Sequence, residues 1–280
     1  MATVVELNVY PVKGCAALPV GEAVLRYPGL AHDRTFLVVD DRGVFRSQRT
    51  DPRLALIRAG VDADGMRLTL RTGEPDGAPA DLPADELHVD VDTESARVDV
   101  EMFRTPYRAI DQGPEAAAWL TAVLGVPSRL VRVPPEHERV TKGVFPGTAA
   151  FADSGALLVL SRASLAGLNT RLVDGGGAAL PMARFRPNVV VDGWDAAHRE
   201  DDARRVTIGA AEIGFAKKAT RCVVTTVDQV RGVKSGPEPL RTLAAYRRGP
   251  DGGVVFGAQY SVLTPGKLTV GDQVVVTEWA

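Results

Sequence analysis

The stretch that most constrains the fold reads Ala216-Lys-Lys-Ala-Thr-Arg-Cys-Val-Val-Thr-Thr-Val-Asp228. It contains Cys222, one of two cysteines in 280 residues, with cationic residues before it and an aspartate after it. Nearby lysine and arginine side chains favour the thiolate, which is the form of cysteine that attacks substrates or binds metals. The β-branched run after Cys222 predicts a strand. We therefore expect Cys222 to lie where a loop enters a sheet.

The composition is ordinary for a soluble globular protein of one large domain or two modest ones. Hydrophobic residues make up 45% and charged residues 24% of the chain. The formal net charge of −2 provides no global field that would attract nucleic acid. No apolar run approaches the roughly 18 residues of a membrane-spanning helix, and the start has no signal-peptide pattern. We predict a cytoplasmic protein that binds neither nucleic acid nor membrane.

Short strand patterns separated by turns dominate the first hundred residues and return in the C-terminal half. Hairpin patterns are predicted for residues 34–39 with 44–46, 54–61 with 66–71, and 86–91 with 96–102. Residues 73–83 are predicted to form a surface loop, and residues 134–155 a linker or long crossing loop. Helices are predicted at residues 114–124, 162–172 and 239–248. Many short strands with few helices favour barrels or strongly bent sheets.

Three further clusters contain residues suited to an anionic ligand. They are Tyr10-Pro-Val-Lys-Gly-Cys15, His32-Asp-Arg34 and Arg184-Phe-Arg-Pro-Asn188. Arginine binds phosphate through two parallel hydrogen bonds, and lysine supplies a point charge. Taken singly, each residue has an ordinary explanation. Lys13 could be solvated, Arg34 could pair with Asp33, and Cys222 could be an inert buried thiol.

Together and in this order, the motifs resemble the MOSC family. The specific block is Thr220-Arg-Cys-Val-Val-Thr-Thr-Val-Asp228, and the three clusters and Phe256-Gly-Ala-Gln-Tyr260 support it. The chain looks most like the two-domain members, the class that includes the mitochondrial amidoxime-reducing component. The resemblance implies a mixed α/β, β-rich fold. It implies an N-terminal β-barrel-like domain over residues 1–125 and a MOSC β-barrel with a few helices over residues 126–280.

The resemblance also implies a mononuclear molybdenum centre on a pterin cofactor, molybdopterin. Cys222 would be the protein ligand of the metal and a catalytic residue, because soft thiolate suits such a metal. Asp228 would lie near the metal as a second catalytic residue, either as a proton relay or as a hydrogen-bonding partner.

The same resemblance implies which residues bind the cofactor. Its phosphate would lie against the basic residues Lys13, Arg34, Arg186 and Arg221. Polar groups near Asp153, Ser154 and Thr220 would line it, and Gln259 and Tyr260 are weaker candidates for the wall. Gly14 stands where relatives often carry serine, so a hydroxyl contact is missing there.

Two functions remain open, together with an empty barrel. The first is an oxidoreductase that reduces small N-hydroxylated or N-oxygenated compounds at molybdenum. The chain ends at Thr277-Glu-Trp-Ala280 without a cysteine set for an iron–sulfur cluster, so we expect a separate electron-donor protein. The second is a non-catalytic module that stores or hands on sulfurated molybdenum cofactor, as the MOSC domain of cofactor sulfurases is thought to do. Metal content and turnover distinguish these functions.

Overall fold

The computed structural model describes residues 1–72 and 86–280. Its strands are β1 Ala2–Val9, β2 Leu18–Val20, β3 Glu22–Arg26, β4 Gly29–Leu30, β5 Phe36–Val39, β6 Ile57–Val61, β7 Arg67–Thr72, β8 Leu87–Asp90, β9 Arg97–Met102, β10 Thr105–Asp111, β11 Arg129–Arg132, β12 Val140–Thr141, β13 Gly147–Thr148, β14 Leu157–Ser161, β15 Val189–Asp192, β16 Ala203–Ile208, β17 Ala211–Thr220, β18 Val227–Asp228, β19 Val233–Lys234, β20 Val255–Thr264, β21 Gly266–Thr269 and β22 Gln273–Trp279. Its helices are α1 Pro114–Leu124, α2 Arg162–Asp174 and α3 Leu240–Tyr246, with 3₁₀ helices at Pro52–Leu56, Met182–Arg184, Arg199–Asp201 and Val223–Thr226.

Seven of the described strands close into a barrel. Their order is β15-β14-β20-β17-β16-β22-β1, and β1 pairs back onto β15. The β14–β15 pair is parallel, whereas the other neighbours are antiparallel. Inward-facing side chains such as Val4, Val206, Ile213 and Tyr260 fill the interior. Closure pairs both edges of the sheet, which would otherwise expose unpaired backbone groups.

A second group of sheets surrounds a separate core. It consists of the four-stranded sheet β5-β11-β10-β9 and the three-stranded sheet β6-β7-β8. Side chains of both sheets and of α1 share this core, among them Phe36, Ile57, Leu68 and Leu120. Strand pairing crosses the boundary predicted at residue 125, because β1 belongs to the barrel and β11 to the four-stranded sheet. The division into domains 1–125 and 126–280 stays a prediction.

The predicted fold class is confirmed. In the described residues the protein is rich in sheet, with a closed barrel and three α-helices. Helix α1 has the predicted bounds, α2 continues to Asp174, and α3 is confined to Leu240–Tyr246. None of the described helices combines the length and the apolar character needed to cross a membrane. The predicted loop at residues 73–83 lies outside the described residues.

One strand prediction and one hairpin prediction are wrong. Residues 223–226 form a 3₁₀ helix, because the Thr225 and Thr226 hydroxyls donate hydrogen bonds to carbonyls three residues earlier, at 2.9 and 2.8 Å. The predicted hairpin of residues 86–91 with 96–102 does not form, since β8 pairs with β7 and β9 pairs with β10. Strand β10 escaped prediction because the turn before it, Phe103-Arg104, lacks the usual glycine or asparagine.

Candidate functional site

A cavity opens where the barrel loops meet the N-terminal sheets. It brings together these residues predicted from the sequence: Lys13, Gly14, Arg34, Asp153, Ser154, Arg186, Thr220, Arg221, Cys222 and Gln259. Further lining residues, to which the sequence analysis gave no role, are Phe45, Arg46, Ser47, Gln48, Arg49, Phe103, Ala152, Gly155, Leu157, Leu158, Phe185, Asn188, Val224 and Thr225. Segments distant in sequence therefore converge on one site.

Cys222 lies between the end of β17 and the 3₁₀ helix Val223–Thr226. Its extended backbone, with φ −128° and ψ −179°, forms the N-cap of that helix. The Cys222 carbonyl oxygen accepts hydrogen bonds from the backbone nitrogen of Thr225 at 3.1 Å and from its hydroxyl at 2.9 Å. Cys222 is half-buried and not in a disulfide. Backbone hydrogen bonds thus position the residue while its thiol remains available at the cavity wall.

Two arginines stack on one buried tyrosine beside the cavity. The guanidinium carbons of Arg34 and Arg186 lie 4.5 and 4.4 Å from the centre of the Tyr10 ring. Burial raises the pKa of Tyr10 to about 12, although both arginines oppose this. Arg34 and Arg186 have φ values of 51° and 56°, in the left-handed region that side chains disfavour. Backbone strain of this kind concentrates at functional sites.

Asn188 joins the arginine pair to the barrel. Its Oδ1 accepts hydrogen bonds from Arg34 Nη1 at 3.0 Å and from the Leu158 backbone at 3.1 Å. Its Nδ2 donates to the Asn8 carbonyl at 3.1 Å and to Asp33 Oδ1 at 3.0 Å. Asp33 is itself buried and forms an ion pair with Arg34. The Arg34 guanidinium is therefore oriented before any ligand arrives.

Lys13 and Asp153 form an ion pair on the wall. Lys13 is almost fully buried, whereas the Asp153 side chain is 58% exposed to the cavity. Burial lowers the pKa of Lys13, and the carboxylate opposes this shift. Partial desolvation by the cavity walls raises the pKa of Asp153, but Lys13 and nearby arginines together hold that pKa well below its usual range. Gly14 follows Lys13 with a φ of 85°, which explains why glycine is favoured here.

Arg139 holds the loop that carries Asp153. Its Nη1 donates hydrogen bonds to the carbonyls of Ala150 at 2.8 Å and of Ala152 at 2.5 Å. Its Nη2 donates to the carbonyl of Asp153 at 2.8 Å. The sequence analysis assigned this region to a linker or long loop. One guanidinium gives the loop a defined shape, so the position of the carboxylate depends on Arg139.

The sequence analysis missed the contribution of the N-terminal sheets. These supply Phe45, Arg46, Ser47, Gln48, Arg49 and Phe103 to the lining. The segment Arg46-Ser-Gln-Arg49 is a short basic cluster, like the clusters that contain Lys13 and Arg34. The side-chain amides of Gln48 and Gln229 exchange hydrogen bonds of 3.1 and 2.8 Å, and Gln229 Oε1 accepts one of 3.3 Å from Arg186. This chain of contacts ties Arg186 to the N-terminal sheets.

Two predicted site residues do not lie at the cavity. The Asp228 carboxylate accepts hydrogen bonds from the backbone nitrogens of Val230 and Arg231, both at 3.0 Å, and lies 3.7 Å from Arg184 Nη2. Tyr260 is buried inside the barrel. Side chains alternate along a strand, so Tyr260 must face inward when its neighbour Gln259 faces the cavity. Neither side chain is among the described residues that line the cavity, and the catalytic role of Asp228 and the cofactor-binding role of Tyr260 stay predictions.

The lining is strongly basic although the protein as a whole is not. It contains six basic residues and one acidic residue, whereas the chain has a formal charge of −2. Burial lowers the pKa of Arg221. The Arg221 Nε is buried and has no hydrogen-bond partner in the described part of the chain. Buried polar groups normally have such a partner. An anionic ligand fits this wall, and Cys222 is the one cysteine or histidine among the described lining residues.

Comparisons with known proteins assign both parts of the chain. Residues 1–127 match the family described as MOSC N-terminal beta barrel domain, and residues 146–275 match the MOSC domain. The chain is 33% identical to Mitochondrial amidoxime-reducing component 1 of Homo sapiens, over 98% of this chain and 82% of that protein. Identity to component 2 of Homo sapiens is 33%, over 98% and 83%. The Molybdenum cofactor sulfurase of Danio rerio is 30% identical, over 91% of this chain and 31% of that protein.

Proposed function

Because the chain belongs to the MOSC family, we propose that it is a molybdenum-cofactor-dependent oxidoreductase that reduces N-hydroxylated or N-oxygenated compounds. The observation that carries the proposal is the convergence of Cys222 with buried cations on one cavity. The names of the most similar relatives support the substrate class, since these are amidoxime-reducing components. A separate redox protein would supply the electrons. A cytoplasmic location stays a prediction.

The residues present fit a molybdenum–pterin cofactor. Its anionic phosphate would be held by Lys13, Arg34, Arg186 and Arg221, which are pre-positioned and lack enough carboxylates to neutralise them. The Nε of Arg221 would gain a hydrogen-bond acceptor, which it lacks among the described residues. Cys222 would be the protein ligand of the metal, with the remaining ligands coming from the cofactor. The roles of Gly14, Ser154 and Thr220 as lining residues belong to the same proposal.

Side chains of the protein would bind and orient the substrate, and one of them would supply a proton. When bound, the cofactor would provide two-electron redox chemistry at its metal. Reduction of an N-hydroxylated compound also consumes two protons. Lys13 holds a proton at Nζ on the cavity wall and donates a hydrogen bond to Asp153. Because Asp228 is not among the residues that line the cavity, we assign one of these protons to Lys13 Nζ beside Asp153. Solvent water would supply the second proton and return the first to the lysine.

A second candidate function is a non-catalytic binder or carrier of sulfurated molybdenum cofactor. The similarity to the molybdenum cofactor sulfurase favours it, because that match covers nearly all of this chain. The cation-lined cavity would serve a carrier equally well. The two functions differ in whether a substrate is turned over.

Molybdenum analysis of Cys222→Ser tests the proposal. After expression with cofactor synthesis, the wild type should contain molybdenum, and the variant should lose most of it because hydroxyl is a poor replacement for thiolate at a soft metal. Cys15→Ala is the matched control, because Cys15 is fully buried in the N-terminal core. It should keep its molybdenum.

Turnover then separates the two functions. The loaded wild type should reduce an amidoxime with a chemical electron donor. Molybdenum without turnover of any N-oxygenated compound would favour the carrier. If the wild type and Cys222→Ser both lack the metal, the proposal is wrong.

A further inference from the structure

The N-terminal sheets place aromatic rings in an otherwise basic cavity. Phe45 and Phe103 both line it, with ring centres 4.6 Å apart and planes at 61°. Phe103 is 38% exposed, although large aromatic side chains are normally buried. Small-molecule sites combine such apolar walls with a few positioned polar groups. The exposed part of the Phe103 ring is therefore available to a ligand in the cavity.

The backbone of Phe103 adopts a conformation that its residue type disfavours. Met102 pairs with Thr105, so Phe103 and Arg104 form a two-residue turn between β9 and β10. Their φ values are 55° and 62°. Turns with two left-handed residues usually contain asparagine or glycine. Unfavourable backbone conformations persist where a ligand contact requires them. The conformation of this turn lowers local stability, and it places the Phe103 ring at the cavity.

Two cations fix the orientation of this ring. Lys13 Nζ and the guanidinium carbon of Arg49 lie 5.3 and 5.1 Å from its centre, within the range of cation–π attraction. Phe103 is contributed by a different sheet from the barrel loops that carry Arg186 and Arg221. The cavity thus combines basic side chains suited to an anionic cofactor with an aromatic pair that is available to a substrate.

We propose that Phe103, supported by Phe45, selects substrates by packing against a planar aryl group of the N-oxygenated compound. Aryl amidoximes would then be preferred over alkyl amidoximes of the same chemistry. The inference rests on the proposed function for the identity of the reacting group. The aryl preference itself depends on the aromatic pair.

The test compares benzamidoxime with acetamidoxime in Phe103→Ala. We expect the KM for benzamidoxime to rise about tenfold, because an apolar contact of this size contributes that much discrimination. The KM for acetamidoxime should rise much less, so that the preference for the aryl compound is lost, and the molybdenum content should match that of the wild type. Arg104→Gly is the matched control, since it changes the same turn without removing the ring. It should keep the wild-type preference.

A double variant, F103N/R104G, separates selection from folding. It installs preferred turn residues, so its melting temperature should rise while the aryl preference disappears. Equal losses for both amidoximes, or a loss of molybdenum in Phe103→Ala, would overturn the inference. If the loaded wild type reduces no N-oxygenated compound at all, the proposed function fails, and binding of benzamidoxime measured by NMR decides the inference. Equal affinity in the wild type and Phe103→Ala would then refute it.

Discussion

At the scale of single residues, the basic side chains of the cavity are held at an electrostatic cost. Burial lowers the pKa of Lys13, Arg186 and Arg221, which means that their charged forms are less stable here than in water. Asp153 is the one acidic residue in the described lining. A bound anion would offset the cost by replacing lost hydration. Part of the affinity for an anion would therefore come from relieving this electrostatic cost when the anion binds.

Tyr260 illustrates how a side chain can serve the fold instead of the cavity. Its hydroxyl lies 2.9 Å from the carbonyl oxygen of Glu200 and 2.8 Å from that of Ala203. In Tyr260→Phe these buried carbonyls lose their donor, so we expect the free energy of unfolding to fall by about 1–3 kcal/mol. Urea denaturation measures this loss, and the molybdenum content should not change. A variant of full stability that has lost its molybdenum would instead place Tyr260 at the cofactor.

At the scale of elements, a single hydroxyl joins β14, α2 and the 3₁₀ helix Arg199–Asp201. Ser161 ends β14, and its Oγ accepts the hydrogen bond from the Ser164 nitrogen at 3.0 Å that caps α2. The same Oγ donates to Glu200 Oε2 at 3.0 Å. Glu200 is fully buried, and burial raises its pKa although hydrogen bonds from Ser164 and Ser161 oppose this. Burial therefore outweighs these hydrogen bonds and favours the protonated carboxyl group of Glu200.

Glu200→Gln should change how stability depends on pH. A carboxyl group whose folded pKa is raised above its unfolded value of 4.5 contributes stability that is complete below pH 4.5. That contribution is lost as the pH rises through the folded pKa. Glutamine resembles the protonated carboxyl, so the variant should gain stability relative to the wild type as the pH increases. Urea denaturation near pH 4.5 and at about pH 8 measures the difference. An identical difference at the two pH values would contradict this account.

At the scale of the whole molecule, the first strand links the two parts of the chain. β1 pairs with β15 on one side and with β22 on the other, so residues 2–9 complete a barrel built otherwise from the C-terminal half. The chain then continues into the turn with Lys13 and into the N-terminal sheets. The cavity is lined from both parts, so the site depends on both being folded.

A fragment of residues 126–280 tests this dependence. Without β1, the neighbouring edges of β15 and β22 stay unpaired, and exposed strand edges promote aggregation. We expect the fragment to show no cooperative unfolding transition by circular dichroism. Residues 10–280, which lack only β1, are the matched comparison and should fail in the same way. A sharp transition in the 126–280 fragment would instead support a domain boundary near residue 125.

The sequence alone determined the features that depend on a few neighbouring residues. Helix α1 was predictable because Pro114 and Gly125 mark its ends, and the β-rich fold because short strand patterns with turn signals recur along the chain. Motif order identified the family, and the basic clusters that contain Lys13, Arg34 and Arg186 identified part of the lining. Tertiary structure alone decided that β1 closes the barrel, that Tyr260 and Asp228 lie away from the cavity, and that Phe103 and Arg49 lie at it. These facts depend on strand register and on pairing between distant segments, which only packing of the whole chain selects.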